Sequence, residues 1–229
     1  NDGDLDFITA GVEGNAKRCK IYRNDGNDSF VDIEASLAGA VSYGNSVAWG
    51  DYDSDGDLDV LLTGNPDTAK VYRNNGNDSF VDIGASLTGV HNSSVDWGDY
   101  DSDGDLDMVL TGSGPTPMFK ILSNNGQGGD DLAFEEIPNT GLEPVRQAKV
   151  DFGDYNGDGY LDILYSGLVT GQGQITALVE YDPTTQSYVN SDFDLTDFVD
   201  VSIAFGDIDG DNDLDFTIAG ESSSNGNNI

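Results

Sequence analysis

The chain repeats one sequence unit, and this repetition constrains the fold more than any other feature. Arg23 to Gly39 reads RNDGNDSFVDIEASLAG and Arg73 to Gly89 reads RNNGNDSFVDIGASLTG, so the two segments are copies of one unit. A second marker, an aromatic residue and a glycine followed by an aspartate-rich loop, occurs four times. The four loops begin at Asp51, Asp99, Asp154 and Asp207. Tandem units of about fifty residues are typical of propellers and other repeat architectures.

The segments within a unit have the composition of short β-strands. They are rich in β-branched and aromatic residues and are bounded by Gly, Asn and Asp. In the unit that begins at Val47, the pattern predicts a second strand at Val60 to Thr63 and a third at Ala69 to Arg73. An Asn-Gly turn at Asn75-Gly76 and a fourth strand at Ser79 to Ile83 follow. We therefore expect an all-β fold, a β-propeller whose four-stranded blades carry the aspartate-rich loops.

The phase of the repeat predicts the domain organisation. We expect residues 1–229 to form a single propeller region with three complete blades and partial blades at both ends. Both partial blades contain a second strand, so simple closure of this segment would duplicate one strand. The sequence therefore predicts a segment of a larger propeller, and the incomplete end blades could support self-association.

Charge and cysteine content exclude several classes of function. The chain has 43 acidic and 9 basic residues and a formal net charge of −34, which opposes binding to nucleic acid. No apolar run is long enough for insertion into a bilayer. Cys19 is the only cysteine, so no internal disulfide can form. Hydrophobic residues make up 37% of the chain, enough for a folded core once the acidic charge is balanced.

The loop DYDSDGDLD, which begins at Asp51, has the donor pattern of a calcium site. Carboxylates at positions 1, 3 and 5, a glycine at position 6 and a carbonyl at position 7 match the first part of an EF-hand loop. The last carboxylate stands at position 9 and strands flank the loop, so it is not an EF-hand. Magnesium is the weaker candidate. The alternative is an acidic hairpin turn without a metal, but a turn does not require oxygen donors at positions 1, 3, 5 and 9 of all four loops.

We expect about four calcium ions, one in each loop. The candidate ligands are Asp51, Asp53, Asp55, Asp57, Asp59, Asp99, Asp101, Asp103, Asp105, Asp107, Asp154, Asn156, Asp158, Tyr160, Asp162, Asp207, Asp209, Asp211, Asp213 and Asp215. Asn156 lowers the charge of its loop, and Tyr160 would contribute only its carbonyl. Asn212 replaces the glycine and is expected to enter the left-handed region. The truncated loop with Asp2 and Asp6 is expected to be empty or poorly ordered.

These loops and their flanks resemble FG-GAP/VCBS repeats, which also occur in integrin α-subunit propellers. The resemblance rests on the aromatic-Gly pair, the DxDxDGxxD loop, and the TG, SG or AG pair after the next strand, where the family name has GAP. It covers essentially the whole chain. It implies a bladed propeller with calcium in the hairpin between the first two strands of a blade. It does not imply one ligand, because the family includes adhesion receptors, lectin-like proteins and modules of secreted enzymes.

The repeated aromatic residues, the single histidine and the single cysteine could each suggest a binding or catalytic role. Trp49, Trp97, Phe152 and Phe205 share one repeat phase, so they could form a sugar-stacking surface, but packing between blades is the favoured interpretation. His91 is expected to be a surface residue between units, and Cys19 an inert core or edge residue.

The sequence favours a secreted or cell-surface module for adhesion or for recognition of a protein or glycan. The alternatives are an accessory or catalytic propeller of a secreted polysaccharide-degrading enzyme and a structural or filament subunit. No nucleophile-base pair favours an enzyme. The connections at the ends away from the aspartate loops vary between units, as binding surfaces do. These candidate recognition loops are Gly39 to Asn45, Gly64 to Thr68, Gly89 to Ser94, Gly112 to Pro117, Asn139 to Ala148 and Gly167 to Gly173.

Overall fold

All regular structure in the described residues is β-strand. The computed structural model describes residues 3–13, 16–37, 44–64, 68–125 and 134–222. Its strands are β1 (Phe7–Glu13), β2 (Ala16–Asn24), β3 (Phe30–Asp32), β4 (Ser46–Gly50), β5 (Asp59–Gly64), β6 (Thr68–Asn74), β7 (Phe80–Asp82), β8 (His91–Gly98), β9 (Asp107–Ser113), β10 (Pro117–Asn124), β11 (Phe134–Glu136), β12 (Val145–Gly153), β13 (Asp162–Val169), β14 (Gly173–Asp182), β15 (Ser187–Asn190), β16 (Phe198–Gly206) and β17 (Asp215–Ser222). None of these residues forms a helix that could span a membrane.

Each strand pairs antiparallel with its neighbour along the chain, which gives a series of meanders. We call them blade 1 (β1–β3), blade 2 (β4–β7), blade 3 (β8–β11), blade 4 (β12–β15) and blade 5 (β16–β17). Blades 3 and 4 are joined by a single pair, Met118 with Val145, and Thr68 with Val90 makes the corresponding bridge between blades 2 and 3. The expected all-β fold with four-stranded units is confirmed.

The predicted strands of blade 2 match β5, β6 and β7, but the hairpin before β7 is longer than an Asn-Gly pair. The N–H of Asn75 donates to the carbonyl of Ser79 at 2.8 Å, and Gly76, Asn77 and Asp78 all have positive φ. Three consecutive left-handed residues fit a Gly-Asn-Asp sequence, because these residue types enter that region at the lowest cost.

The second strand of a complete blade is buried on both faces, which places it between two cores. In β5, Val60 and Leu62 belong to the cluster that packs on blade 1, while Leu61 belongs to the cluster shared with blade 3. Alternate side chains of a strand point to opposite faces, so one strand contributes to both cores. This pattern predicts a continuous apolar run, which the sequence DVLLTG shows.

The aromatic-Gly pair at the end of each first strand makes the contact between successive blades. A Cβ atom on Gly50 would lie 2.7 Å from the Trp97 ring of the next blade, and one on Gly153 would lie 2.6 Å from the Phe205 ring. Trp97 is buried and stacks on Tyr52 with ring centroids 6.2 Å apart. The expected packing of these aromatics between blades is confirmed, since the glycines allow the rings to approach the backbone.

Two equivalent glycines allow a matched test of this contact, because in the described part of the chain only one of them touches an aromatic ring of the next blade. Gly50→Ala should lower the free energy of unfolding by about 1–3 kcal/mol, because the added methyl group overlaps the Trp97 ring. Gly206 occupies the same repeat position in blade 5 and has no atom within 4 Å of an added Cβ among the described residues, so Gly206→Ala should leave stability nearly unchanged. Urea denaturation of both variants measures the difference. Equal destabilisation by the two substitutions would refute the inter-blade role of the glycine.

Candidate metal sites

The aspartate at position 1 of each loop folds the loop around its own carboxylate. Asp51 accepts hydrogen bonds from the N–H groups of Asp55 and Gly56, both at 3.0 Å. The same two bonds recur at Asp99, Asp154 and Asp207. The residue at position 6 has a left-handed backbone in every loop. Asn212, with φ of 74°, adopts this conformation without glycine, as predicted.

In blades 2 and 3, the aspartate at position 9 ties the loop to the body of the blade. Asp59 is fully buried, and its two oxygens accept from the N–H of Asn74 at 2.7 Å and of Tyr52 at 3.1 Å. Asp107 makes the corresponding bonds with Asn124 and Tyr100. Because Asn74 and Asn124 end the third strands of their blades, one carboxylate connects the loop with two strands of its sheet.

The carboxylates at positions 1, 3 and 9 converge in three loops. Ligand oxygens within 4.8 Å of one another come from Asp51, Asp53 and Asp59, from Asp99, Asp101 and Asp107, and from Asp207, Asp209 and Asp215. The loop at Asp154 has Asn156 at position 3, so Asp154 and Asp162 have an amide in place of the third carboxylate.

Three carboxylate oxygens of the loops, two of them in these clusters, are buried without a hydrogen-bond donor. They are Asp53 Oδ1, Asp101 Oδ1 and Asp162 Oδ2. A buried acceptor without a partner costs about 1–3 kcal/mol, and more when it is charged. A hard divalent cation prefers oxygen donors and would satisfy these atoms, so the residues present fit a bound calcium ion.

The raised pKa values of the site carboxylates also favour a bound cation. The pKa of Asp59, Asp107 and Asp162 is raised to about 7, mainly by burial; neighbouring loop carboxylates add to this rise and backbone hydrogen bonds oppose it. Burial also raises the pKa of Asp53 and Asp101. These shifts mean that the ionised carboxylates are unfavourable without a cation, whereas a bound cation would favour their ionised form.

The candidate ligands at positions 5 and 7 are not part of these three clusters. At position 5, Asp55 and its equivalents accept from the N–H at position 7 of the same loop and lie outside the three clusters. At position 7, the Tyr160 ring contacts Tyr181. In the truncated loop, Asp6 accepts from the N–H of Asn24 at 2.8 Å, the bond that Asp59 makes in blade 2, while Asp2 lies outside the described residues.

Two expectations about the opposite ends of the blades are wrong in part. His91 is the first residue of β8, so it does not lie in a link between units, while its partial exposure agrees with the expected surface position. Part of Gly89 to Ser94 belongs to β8, and Val145 to Ala148 begins β12, so these segments are strand ends and not loops. Residues 38–43 and 65–67, which include parts of two other candidate loops, lie outside the described residues.

An acidic pair and a cavity were not predicted from the sequence. Asp96 Oδ2 accepts from the N–H of Phe152 at 3.1 Å, and Asp151 Oδ2 accepts from that of Phe205 at 2.8 Å, so each carboxylate joins one first strand to the next. A cavity of about 450 Å³ lies between blades 3 and 4 and includes Arg146 in its lining. Alignment of the repeats could have found both, because Asp96 and Asp151 share one repeat position and Arg146 occupies that of His91.

Comparison with known proteins gives a family and a structural neighbour. The FG-GAP-like repeat profile matches residues 1–62, 51–110 and 99–165. A search of curated protein sequences finds no match. Among solved structures, the chain is similar to an Agrocybe aegerita lectin that recognises non-reducing terminal N-acetylglucosamine, with 18% identity and a TM-score of 0.53. The similarity covers 93% of this chain but only 57% of the lectin, so the chain spans little more than half of its length.

The repeat, the aromatic-Gly contacts and the profile matches therefore agree, and the chain belongs to the FG-GAP-like repeat family.

Proposed function

We propose that this chain is a calcium-stabilised β-propeller module that recognises an extracellular ligand, and that the ligand is a glycan. The observation that carries the calcium part is the set of buried carboxylate oxygens without donors in the converging clusters. Positions 1, 3 and 9 would hold the ion through side chains, for example Asp99, Asp101 and Asp107 in blade 3. The bound ion would supply positive charge that balances the clustered carboxylates.

Calcium fits these donors better than magnesium does. Calcium accepts six to eight oxygens at about 2.3–2.6 Å in flexible geometry, while magnesium requires a near-ideal octahedron and keeps several waters. A loop whose donors are all carboxylates, amides and carbonyls suits the larger ion. Extracellular calcium modules bind at roughly 10⁻⁴–10⁻³ M, so we propose a secreted or cell-surface location, where the sites would be filled.

A binding role is favoured over a catalytic one. Burial raises the pKa of the Cys19 thiol to about 11, so it is a poor nucleophile at neutral pH. Asp96 and Asp151 form an acidic pair, and an enzyme hypothesis would assign them catalysis. Their carboxylates instead accept backbone hydrogen bonds from the next blade, which is a structural role. Two other functions compete with this proposal, namely catalysis on polysaccharides and self-association through the end blades.

Recognition is proposed for the end of the blades opposite the loops. Each loop joins the end of a first strand to the start of a second, so the beginnings of the first strands lie at the other end. Two cavities lie there, lined mainly by polar residues of blades 2 to 5. A lectin with a similar fold recognises a sugar, which supports a glycan as the ligand class.

Calcium should stabilise the chain specifically. In several millimolar calcium, the melting temperature should rise well above its value in chelator, and each site should contribute about 2.7 kcal/mol at a hundredfold excess over its dissociation constant. Magnesium should give a clearly smaller shift. Thermal melts followed by circular dichroism measure this. Equal melting temperatures in calcium and chelator would eliminate the metal hypothesis and leave the loops as acidic turns.

Position 3 is an aspartate in blade 3 and an asparagine in blade 4, so the two residues can be exchanged in opposite directions. Asp101→Asn should weaken calcium binding at its site at least about tenfold, or about 1.4 kcal/mol, because one ligand charge is lost. In chelator the same variant should not be less stable than the parent chain, because the substitution removes a buried charge whose Oδ1 has no donor. Asn156→Asp introduces the corresponding carboxylate in blade 4 and should have the opposite effects.

Calcium titration by calorimetry and melts in chelator measure both variants. If Asp101→Asn and Asn156→Asp change affinity in the same direction, position 3 is not a calcium ligand.

Glycan recognition should be detectable on a printed array of neutral and acidic oligosaccharides. We expect binding in millimolar calcium and its loss in chelator, because the blades that line the cavities depend on the loops for their order. A protein that is folded in calcium by circular dichroism but binds none of the oligosaccharides would contradict the glycan proposal.

A further inference from the structure

The larger cavity lies between blades 3 and 4, at the end opposite the candidate metal sites. Its volume of about 450 Å³ is within the range of small-molecule sites. Its lining includes Asn92 at the start of β8, Ser113 at the end of β9, Pro117 at the start of β10, and Arg146 and Gln147 near the start of β12. Five side chains from four strand ends therefore meet at one opening.

Backbone bulges set the direction of two of these side chains, Asn92 and Gln147. The register of β8 against β9 shifts between His91 and Ser94, and that of β12 against β13 shifts between Arg146 and Lys149. Asn92 and Gln147 lie within these shifts and have left-handed φ angles of 46° and 51°. Left-handed residues other than glycine are uncommon, and bulges redirect side chains at binding sites. Here the bulge leaves both Arg146 and Gln147 exposed toward the cavity.

Arg146 has no acidic partner in the described part of the chain, whereas four other basic residues have one. The described part of the chain pairs Lys20 with Asp32, Lys70 with Asp82 and Lys120 with Glu136, and it pairs Arg23 with Asp25 and Asp78. Within the same residues, Arg146 makes no hydrogen bond or ion pair. A chain of net charge −34 thus leaves a guanidinium unpaired at the mouth of a cavity.

The adjacent, smaller cavity does not have this character. Lys149 lines it together with Asp200, which supplies a compensating charge. Among the residues that the structure describes, the lining of the larger cavity contains no acidic side chain. An anionic group would therefore meet an uncompensated positive charge only in the larger of the two cavities.

We propose that the cavity between blades 3 and 4 binds an acidic sugar residue of a glycan, with Arg146 pairing with its carboxylate or sulfate group. This inference rests on the proposed glycan recognition and specifies its site and substrate class. A guanidinium pairs with planar or tetrahedral oxyanions through two parallel hydrogen bonds. Asn92, Gln147 and Ser113 offer both donors and acceptors, which match the hydroxyl groups of a sugar ring.

The acidic charge of the chain does not prevent this binding. At physiological ionic strength, charges farther apart than about 8 Å are largely screened. The eight residues of β8 separate the cavity from the nearest metal loop, and at about 3.3 Å per residue this strand spans about three screening lengths. The acidic metal loops therefore weaken the attraction between a bound anion and the local guanidinium only slightly.

The test compares a charged trisaccharide with its neutral counterpart in saturating calcium. Trigalacturonate should bind the parent chain more tightly than its methyl ester, and Arg146→Gln should weaken trigalacturonate about 10- to 100-fold while the ester changes little. Lys120→Gln removes the same charge from the middle of β10, outside the lining of the cavity, and should have no effect. A sulfated galactan tetrasaccharide in parallel distinguishes a sulfate from a carboxylate as the preferred anion. Calorimetry measures the affinities.

Each other outcome overturns the inference. Equal affinity of trigalacturonate for the parent chain and Arg146→Gln would show binding elsewhere, including binding of the uronate to calcium in the loops. An acidic peptide that binds through Arg146 more tightly than either glycan would replace the substrate class. Array binding restricted to neutral glycans would refute the acidic-sugar site while glycan recognition stands, and a blank array would refute both. Unchanged melting temperatures in calcium confirm that the variants are folded.

Discussion

The structure depends on a buried carboxylate at the ninth position of the aspartate loops in blades 2, 3 and 4. Asp59 and Asp107 each hold two backbone N–H groups, one in the loop and one at the end of a third strand, so they fix the loop on its sheet. The same carboxylates lie within reach of the carboxylates at positions 1 and 3. Each of these side chains therefore accepts the hydrogen bonds that hold the loop and also lies close to other negative charges. A bound cation would reduce the repulsion between these carboxylates and so help to keep the loop ordered.

This arrangement couples the loops to the packing between blades. The glycine that admits the next blade's aromatic ring is followed directly by the first aspartate of the loop, as Gly50 is by Asp51. Tyr52, two residues after that glycine, stacks on Trp97 and donates its N–H to Asp59. A disturbance of the loop would thus reach the inter-blade core within two residues. Stability of such an array is approximately a sum of blade and interface terms, so one loop should mainly affect its own interface.

The sequence predicted the features that are local and repeated. The strands, the aromatic-Gly contacts and the left-handed Asn212 follow from periodicity and residue type, because each depends on a few neighbouring residues. The hydrogen bond between Asp59 and Asn74 could not be predicted in this way, since the donor lies fifteen residues away on another strand. Arg146 was also missed. Its significance depends on a bulge that exposes it and on the lack of an acidic partner within the described residues, and neither is visible in a linear pattern.

The two ends of the blades are under different physical constraints, and this difference explains where variation occurs. At the loop end, positions 1, 3, 6 and 9 each have a defined hydrogen-bonding or conformational task, so the units differ little there. At the other end, the equivalent positions of the first strands are Gly44, Asn92, Gln147 and Asp200. All four have positive φ, so the backbone geometry is kept while the side chain ranges from none to amide to carboxylate. A fixed backbone that presents different side chains at equivalent sites is what selective recognition by a repeat protein requires.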